Sequence, residues 1–290
     1  MDKNFSWRRF LLRRLNILAV LSLAACIAGQ LGGLHWFAGL FGHFMPHYAA
    51  VFLLAALFCP GRRRLLWAVC AAGAALWLMQ PFVLERPSET RRSLIWYNVH
   101  LDNPQAAAET AALLAAAPDM LALAEIDTAD GGWAQLRHRY PYGCERESDS
   151  PFALALWSRR PLDACEVRFS GDYPYIRALV GDTAVYALHP PPPVGGALAR
   201  DRDAYLAETA RLMAAEDRVL AVGDLNDSPF SPTFRRFAAA AGLAPQMRFY
   251  TPTWRPFFLQ IDHVLTRGTA AAVHPMPWRH SDHRALSVVW

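Results

Sequence analysis

Six short stretches of the chain bring charge-handling side chains to the ends of apolar runs: Asn98 in "YNV", Glu125 in "LAEI", His189 in "ALHP", Asp224 and Asn226 in "GDLN", Asp262 in "QIDHV", and Asp282 with His283 in "SDH". Oxygen donors without paired thiolates suit a hard cation, Mg²⁺ or Mn²⁺, better than a structural zinc ion. His280 and His283 have neither the cysteines nor the third histidine that a zinc site would add. A carboxylate-oriented histidine and an aspartate beside an asparagine can position water and stabilise transition-state charge. A bound cation would neutralise phosphoryl oxygens. Phosphoester hydrolysis uses all of these groups. Taken alone, "VLAVGDLNDSP" (Val219–Pro229) reads as a solvated turn, without the glycine of an EF-hand loop; only beside "QIDH" and "SDH" does it read as one edge of a site.

The elements that must position these groups alternate in type. Ser93–Val99, Asp119–Ile126, Phe152–Ser158, Tyr175–Gly181, Thr183–His189, Val219–Asp224 and the runs "QIDHVLT" and "ALSVVW" have the apolar and β-branched content of buried strands. Gly181-Asp182 marks a hairpin. Pro104–Pro118, Arg200–Glu216 and Pro232–Ala241 read as helices. Alternate residues of an extended chain share a face, so Asp224 and Asn226 address one side while Leu225 packs on the other. Gly223 allows close backbone approach just before them. The expectation is an α/β domain with largely buried sheets.

The order of these motifs resembles that of the endonuclease/exonuclease/phosphatase superfamily, and "HPPPP", "PTW" (Pro252–Trp254) and the apolar N-terminal segments are similar to its membrane-anchored bacterial branch. The resemblance covers Arg92–Trp290. It implies a DNase-I-like four-layer α/β sandwich, two facing mixed sheets between helices. It also implies that Glu125 is the main Mg²⁺ ligand, with Asn98 and Asp282 in or near the metal shell, that Asp224 orients or deprotonates the attacking water, and that Asn226 holds that water or the phosphate. His283, oriented by Asp262, and His189 would contact the phosphate. The family's usual Gln-Glu metal pair is here Ala124-Glu125.

Charge is unevenly spread. The first 84 residues hold eight basic side chains and one acid, leaving 21 basic and 24 acidic residues beyond them, a net of −3. The uniformly basic footprint of a nucleic-acid binder is therefore absent from the remainder. No charged residue occurs between Leu15 and Gly61, and Leu65–Leu84 is again uncharged. A bilayer core takes about 20 apolar helical residues, so Leu15–Leu34, Phe41–Pro60 and Leu65–Leu84 are candidate spans. "LAAC" and "WRRFLL" faintly resemble processing signals, but the further apolar runs favour uncleaved helices. Arginines stay cytoplasmic; two to three helices would make this a multi-pass inner-membrane protein, with everything after Leu84 on the periplasmic side if there are three crossings and on the other side if the middle segment is re-entrant. The expected organisation is an anchor over 1–84, a linker over 85–92 and a catalytic domain over 93–290. In an oxidising compartment Cys144 and Cys165 are either a disulfide or two free thiols.

The expected function is a membrane-anchored Mg²⁺- or Mn²⁺-dependent phosphodiesterase or phosphatase. Its partners would be a nucleic-acid or phospholipid phosphoester and the lipid bilayer; nothing in the sequence calls for an obligate protein partner. The alternative is a non-catalytic binding or scaffold domain on the same fold. Of the remaining polar residues, His100, His263 and His274 read as surface or structural histidines, Asp127 and Asp227 as turn residues, and Arg177 as a phosphate contact or a salt-bridge partner.

Overall fold

The computed structural model describes residues 6–79, 92–247 and 249–290. The expected linker, apart from Arg92, and the last part of Leu65–Leu84 lie outside them. The chain divides into two compact units, Met1–Pro81 with Pro229–Thr233, and the remainder.

The first unit is helical: α1 (Trp7–Gln30), α2 (Trp36–Leu40), α3 (Met45–Phe58) and α4 (Arg62–Met79). Trp7–Gln30 and Trp36–Phe58 are each long and apolar enough to cross a membrane. The third expected span does not meet that test within the described residues. Helix α4 opens on Arg62–Arg64 and runs to Met79, where this stretch of described residues ends.

The second unit runs β1 (Ser93–Asn98), α5 (Ala106–Ala116), β2 (Met120–Ala124), α6 (Ala134–Arg139), β3 (Tyr142–Arg146), β4 (Leu154–Ser158), β5 (Ala164–Ser170), β6 (Tyr173–Val180), β7 (Thr183–Leu188), α7 (Gly196–Ala214), β8 (Val219–Asp224), α8 (Pro232–Ala241), β9 (Ala244–Pro245), β10 (Asp262–Arg267), β11 (Ala272–Pro275) and β12 (Leu286–Val289). The strands form two mixed six-stranded sheets, ordered β11-β12-β1-β2-β4-β3 and β5-β6-β7-β8-β10-β9. One buried cluster joins them face to face, with Leu94, Trp96, Met120, Ala122 and Leu156 from the first sheet and Ala178, Val185, Ala187, Leu220, Val222 and Val264 from the second. On its outer face the first sheet buries Ile95, Tyr97, Leu121 and Leu123 with Leu113 of α5 and Leu136 of α6. The second buries Ala184, Tyr186 and Leu188 with Tyr205 and Leu206 of α7 and Phe234 and Phe237 of α8. This is the four-layer sandwich, and it explains the near-continuous apolar runs of the inner strands, since both faces are covered.

Strands β3 and β5 lie at sheet edges and are bound by the Cys144–Cys165 disulfide, with Cα atoms 5.7 Å apart. The bond ties one sheet to the other. Closing a loop of this length stabilises by about 3 kcal/mol in the chain-entropy account.

Candidate active site

Strand parity delivers the polar groups. Trp96 faces the gap between the sheets, so Asn98, two residues on, follows it. By the same count Val185 and Ala187 lead to His189, Leu220 and Val222 lead to Asp224, and Val264 of β10 shares its side with Asp262. Four of the site residues thus continue the in-facing side at one end of four strands, Asp262 at the start of β10 and the other three at or just past the ends of β1, β7 and β8, where the core stops and polar groups begin. Asp224 and Asp262 are direct cross-strand partners. Gly223 lets β7 and β8 approach at this point, since a Cβ there would lie 2.4 Å from the Leu188 carbonyl oxygen.

Two positions depart from regular strand geometry. In an extended chain Glu125 would follow Leu121 and Leu123 to the helix side. Its φ of +57° breaks the alternation, and its carboxylate instead accepts from Asn98 Nδ2 at 2.8 Å and from the Leu101 N–H at 3.1 Å. Asn226, at φ +48°, is not extended as the sequence reading assumed. Its N–H donates to Asp224 Oδ1 at 2.9 Å and its side-chain amide to the Pro190 carbonyl at 3.0 Å, which ties the end of β8 to the segment after His189.

At the centre lies His283. Its Nδ1 is 2.8 Å from Asp262 Oδ2 and its Nε2 is 3.6 Å from Asp224 Oδ2. Asp262 uses its other oxygen to accept from Trp96 Nε1 at 2.8 Å. Burial opposes charge on the His283 ring, but Asp262, Asp224 and the hydrogen bond to Asp262 overcome it and raise the pKa to about 10. Asp224 is fully buried beside another carboxylate. Desolvation first, then Asp262, raises its pKa to about 7, with His283 acting in the opposite direction. Burial likewise lowers the pKa of His189 against the pull of Glu125. His189 Nε2 sits 3.8 Å from both Glu125 Oε1 and Asp224 Oδ2.

The loop carrying Asp282 and His283 is held from several sides. Ser281 Oγ donates to the Asn98 carbonyl at 2.8 Å and accepts the His283 N–H at 2.9 Å. Buried Glu109 of α5 accepts from Arg279 Nε at 3.1 Å and the His280 N–H at 2.8 Å. Trp254 Nε1 donates to Asp282 Oδ2 at 2.8 Å. Thr253 Oγ1 accepts the Asp262 N–H at 3.0 Å.

All eight residues singled out from sequence therefore meet in one cluster. Supporting it are five that the sequence reading did not assign: Trp96, Glu109, Thr253, Trp254 and Ser281. Of these Thr253 and Trp254, in "PTW", and Ser281, in "SDH", sat in motifs that could have flagged them. Arg177 lies elsewhere, with its Nε 2.8 Å from Glu216 Oε1, as a salt-bridge partner. Asp227 is more than a turn residue, being buried with a carboxylate oxygen 3.5 Å from Arg202. His263 is structural and bonds the Asp227 carbonyl at 2.8 Å. His100 is not a mere surface residue, since its Nδ1 lies 3.4 Å from Asp282 Oδ1 and 4.0 Å from Glu125 Oε2.

Two groups of residues could be weighed as cation ligands. Asp224, Asp262 and His283 offer donor atoms within 4.8 Å of one another. Both Asp262 oxygens are already engaged, however, and a cationic imidazole repels an ion, so this trio is a charge-balanced array. Glu125 and Asp282 fit a hard cation better. They are only partly buried, they supply oxygens, and Asp282 Oδ1 is a buried atom that accepts no hydrogen bond among the described residues. Asn98 directs its amide nitrogen toward Glu125 and, at 3.3 Å, toward Asp224, while its oxygen accepts the His100 N–H at 3.1 Å. It orients Glu125 from beside the donor set.

Residues 95–283 match the family model described as Endonuclease/Exonuclease/phosphatase family. Comparison with curated proteins finds no match. Among solved structures, the chain resembles sphingomyelinase C from Streptomyces griseocarneus, with 20% identity, a TM-score of 0.51, and coverage of 68% of this chain and 98% of that one. It also resembles a 3′ phosphatase from Neisseria bound to a product DNA hairpin, at 17% identity and a TM-score of 0.55, covering 68% and 98%. An endonuclease/exonuclease/phosphatase from Beutenbergia cavernae is similar at 19% identity and a TM-score of 0.54, covering 69% of this chain and 71% of that one.

Proposed function

The chain belongs to the endonuclease/exonuclease/phosphatase family, and on that premise we propose that it is a membrane-anchored, divalent-cation-dependent hydrolase of phosphoester bonds. The observation that carries this reading is the buried Asp262–His283–Asp224 array, set directly against the partly open Glu125–Asn98–Asp282 group.

Each residue has a role that its surroundings support. Asp262 fixes the His283 ring and keeps it cationic at neutral pH, so that Nε2 can meet a phosphoryl oxygen. His189 flanks the same space. Asp224, with a pKa near neutrality, is suited to general-base work and is the base in this reading. Water gives a proton to Asp224 as its oxygen attacks phosphorus. The ester P–O bond breaks, and the departing oxygen is protonated from solvent. A Mg²⁺ or Mn²⁺ ion held by Glu125 and Asp282, with Asn98 beside them, would supply positive charge to the phosphoryl and leaving oxygens. Asn226 holds the β8 end against Pro190, so Asp224 keeps its place.

One structural neighbour is a sphingomyelinase and another a 3′ phosphatase holding a DNA product, so the fold admits both lipid and nucleic-acid substrates. Exposed Phe257 and Phe258, between Trp254 and Asp262 in the chain, favour a substrate with an apolar or aromatic part over a small phosphoester. We read the anchor as multi-pass, with both arginine clusters cytoplasmic and Leu65–Leu84, whose last residues lie outside those described, as a third crossing that puts the catalytic unit on the periplasmic side. A reporter fused after Trp290 that works only in the cytoplasm would remove that placement.

The direct experiment assays the full chain in detergent with Mg²⁺ or Mn²⁺ against DNA, RNA, phospholipids and small phosphoesters, beside Glu125→Ala and Asp224→Ala. We expect cation-dependent turnover that both variants abolish. Turnover on none of the substrates sinks the proposal, and turnover indifferent to Glu125→Ala sinks the cation site.

A further inference from the structure

We propose that His100 is itself a ligand of the cation held by Glu125 and Asp282, and that its nitrogen gives the site a preference for Mn²⁺ over Mg²⁺. The proposal rests on the reading of Glu125 and Asp282 as a cation site and adds a residue to it.

Distances make the first argument. His100 Nδ1 lies 3.4 Å from Asp282 Oδ1 and 4.0 Å from Glu125 Oε2. Ligand atoms about 2.1 Å from an ion in octahedral geometry stand about 3.0 Å apart when adjacent and about 4.2 Å apart when opposite. The first separation is near the adjacent value and the second near the opposite one, so His100 Nδ1 stands where it can share an ion with either carboxylate.

The backbone makes the second. His100 has a φ of +66°, a conformation that a residue with a Cβ adopts only at a cost. Its own N–H donates to Asn98 Oδ1, and the next N–H donates to Glu125 Oε2. The chain after β1 thus folds back over the ligands and sets the imidazole beside them. Hydrophobic burial does not hold the ring there, because more than half of the side chain is exposed. An exposed ion pair is weak on its own, so it gives little return for the strained backbone. The third observation is Asp282 Oδ1, buried and accepting no hydrogen bond among the described residues, facing the same nitrogen.

The chemical consequence follows from ligand type. Mg²⁺ favours oxygen donors and dehydrates reluctantly, whereas imidazole suits the transition metals. One imidazole among carboxylates therefore moves selectivity toward Mn²⁺.

The test uses the full chain in detergent with Mn²⁺ alone as the probe, read by electron spin-echo modulation from directly bound ¹⁴N. The expected result is nitrogen coupling in the native protein that converts to the ¹⁵N pattern on ¹⁵N-histidine labelling. The coupling should vanish in His100→Asn, whose side chain tolerates the left-handed backbone, and persist in His189→Asn. Calorimetry should show the Mn²⁺-to-Mg²⁺ affinity ratio falling about tenfold or more in His100→Asn, with an unchanged melting curve. Mn²⁺ bound through Glu125 without nitrogen coupling, or coupling that survives His100→Asn, overturns the proposal and leaves the cation site standing. Absence of any Mn²⁺ binding to the native protein overturns both.

Discussion

The two halves of the polar cluster are made of similar residues and built to different standards. On one side Asp262 is fully buried, both of its oxygens are engaged, and it faces a cationic imidazole. On the other, Glu125 and Asp282 are partly exposed, and one Asp282 oxygen accepts no hydrogen bond among the described residues. The protein balances the charge of the first half itself and leaves negative charge on the second for an ion to balance. The physical reason lies in where each half is anchored. Asp224 and Asp262 are strand residues whose backbones pair in register, while Glu125 and Asp282 sit just beyond strands, where the chain is free to turn.

The sharpest way to break this contrast is Asp262→Asn. The variant keeps an acceptor for Trp96 and removes the charge that holds His283 cationic. We expect kcat to fall by about 10²–10⁴-fold and the His283 pKa, followed by NMR titration, to drop toward its ordinary value. If kcat falls less than tenfold, the charge-balanced half is not where catalysis is organised.

Next in size is Glu125→Ala, which should cost about 100-fold in Mn²⁺ affinity and almost nothing in the stability of the ion-free protein, within about 1 kcal/mol. Glu125 is one of the groups that raise the Asp224 pKa, so that pKa should fall in the variant. A large loss of ion-free stability would mean that Glu125 is structural, and the two halves would no longer differ in kind.

Dependence on pH separates the halves by a third route. His283 is raised from 6.5 to about 10, so its contribution to stability is complete below pH 6.5 and is lost as pH rises toward 10. Asp224 is raised from 3.8 to about 7. Between those values the folded state binds the extra proton, so stability falls as pH rises there too. Ion-free melting temperatures should therefore decline from about pH 4 to about pH 10, with the alkaline part of the slope absent in His283→Gln. Activity needs Asp224 ionised and His283 protonated. It should rise through about pH 7 and fall toward about pH 10, and a bound cation should move the acid limb lower. A flat melting profile above pH 6.5 would remove the raised His283 pKa.

Inner strands and outer strands were unequally legible. The buried runs of β1, β2, β4, β7 and β8 stood out because both faces are covered and nearly every residue is apolar. Strands β3, β5, β9 and β11, absent from the sequence reading, are the four edge strands, and β3, β5 and β11 carry half-exposed, polar-interrupted patterns. The site divides in the same manner. Asn98, His189, Asp224 and Asp262 follow from strand parity alone. The turn of Glu125 into the cluster depends on a left-handed residue that no local pattern announces, and so does the place of His100. Glu109 is an acid in an alanine-rich helix, and its burial against Arg279 and the His280 N–H depends on a contact about 170 residues away along the chain. Long-range pairing of this kind leaves no periodicity to read.

The smallest expected effect probes how adaptable the open half is. Trp254→Phe removes the Nε1 hydrogen bond to Asp282 Oδ2 while leaving the backbone pairing around it intact: Arg255 N–H to the Asp282 carbonyl at 2.8 Å and Arg284 N–H to the Thr253 carbonyl at 2.7 Å. Asp282 is partly exposed, so water can replace the lost donor, and the cost should be about 0.5–1.5 kcal/mol. Mn²⁺ affinity should fall less than tenfold, and kcat at saturating ion should hold. A loss equal to that of Glu125→Ala would show that Asp282 must be held as rigidly as Asp262. The open half would then be preorganised after all, with its charge unbalanced by design of the shell around it and not by looseness.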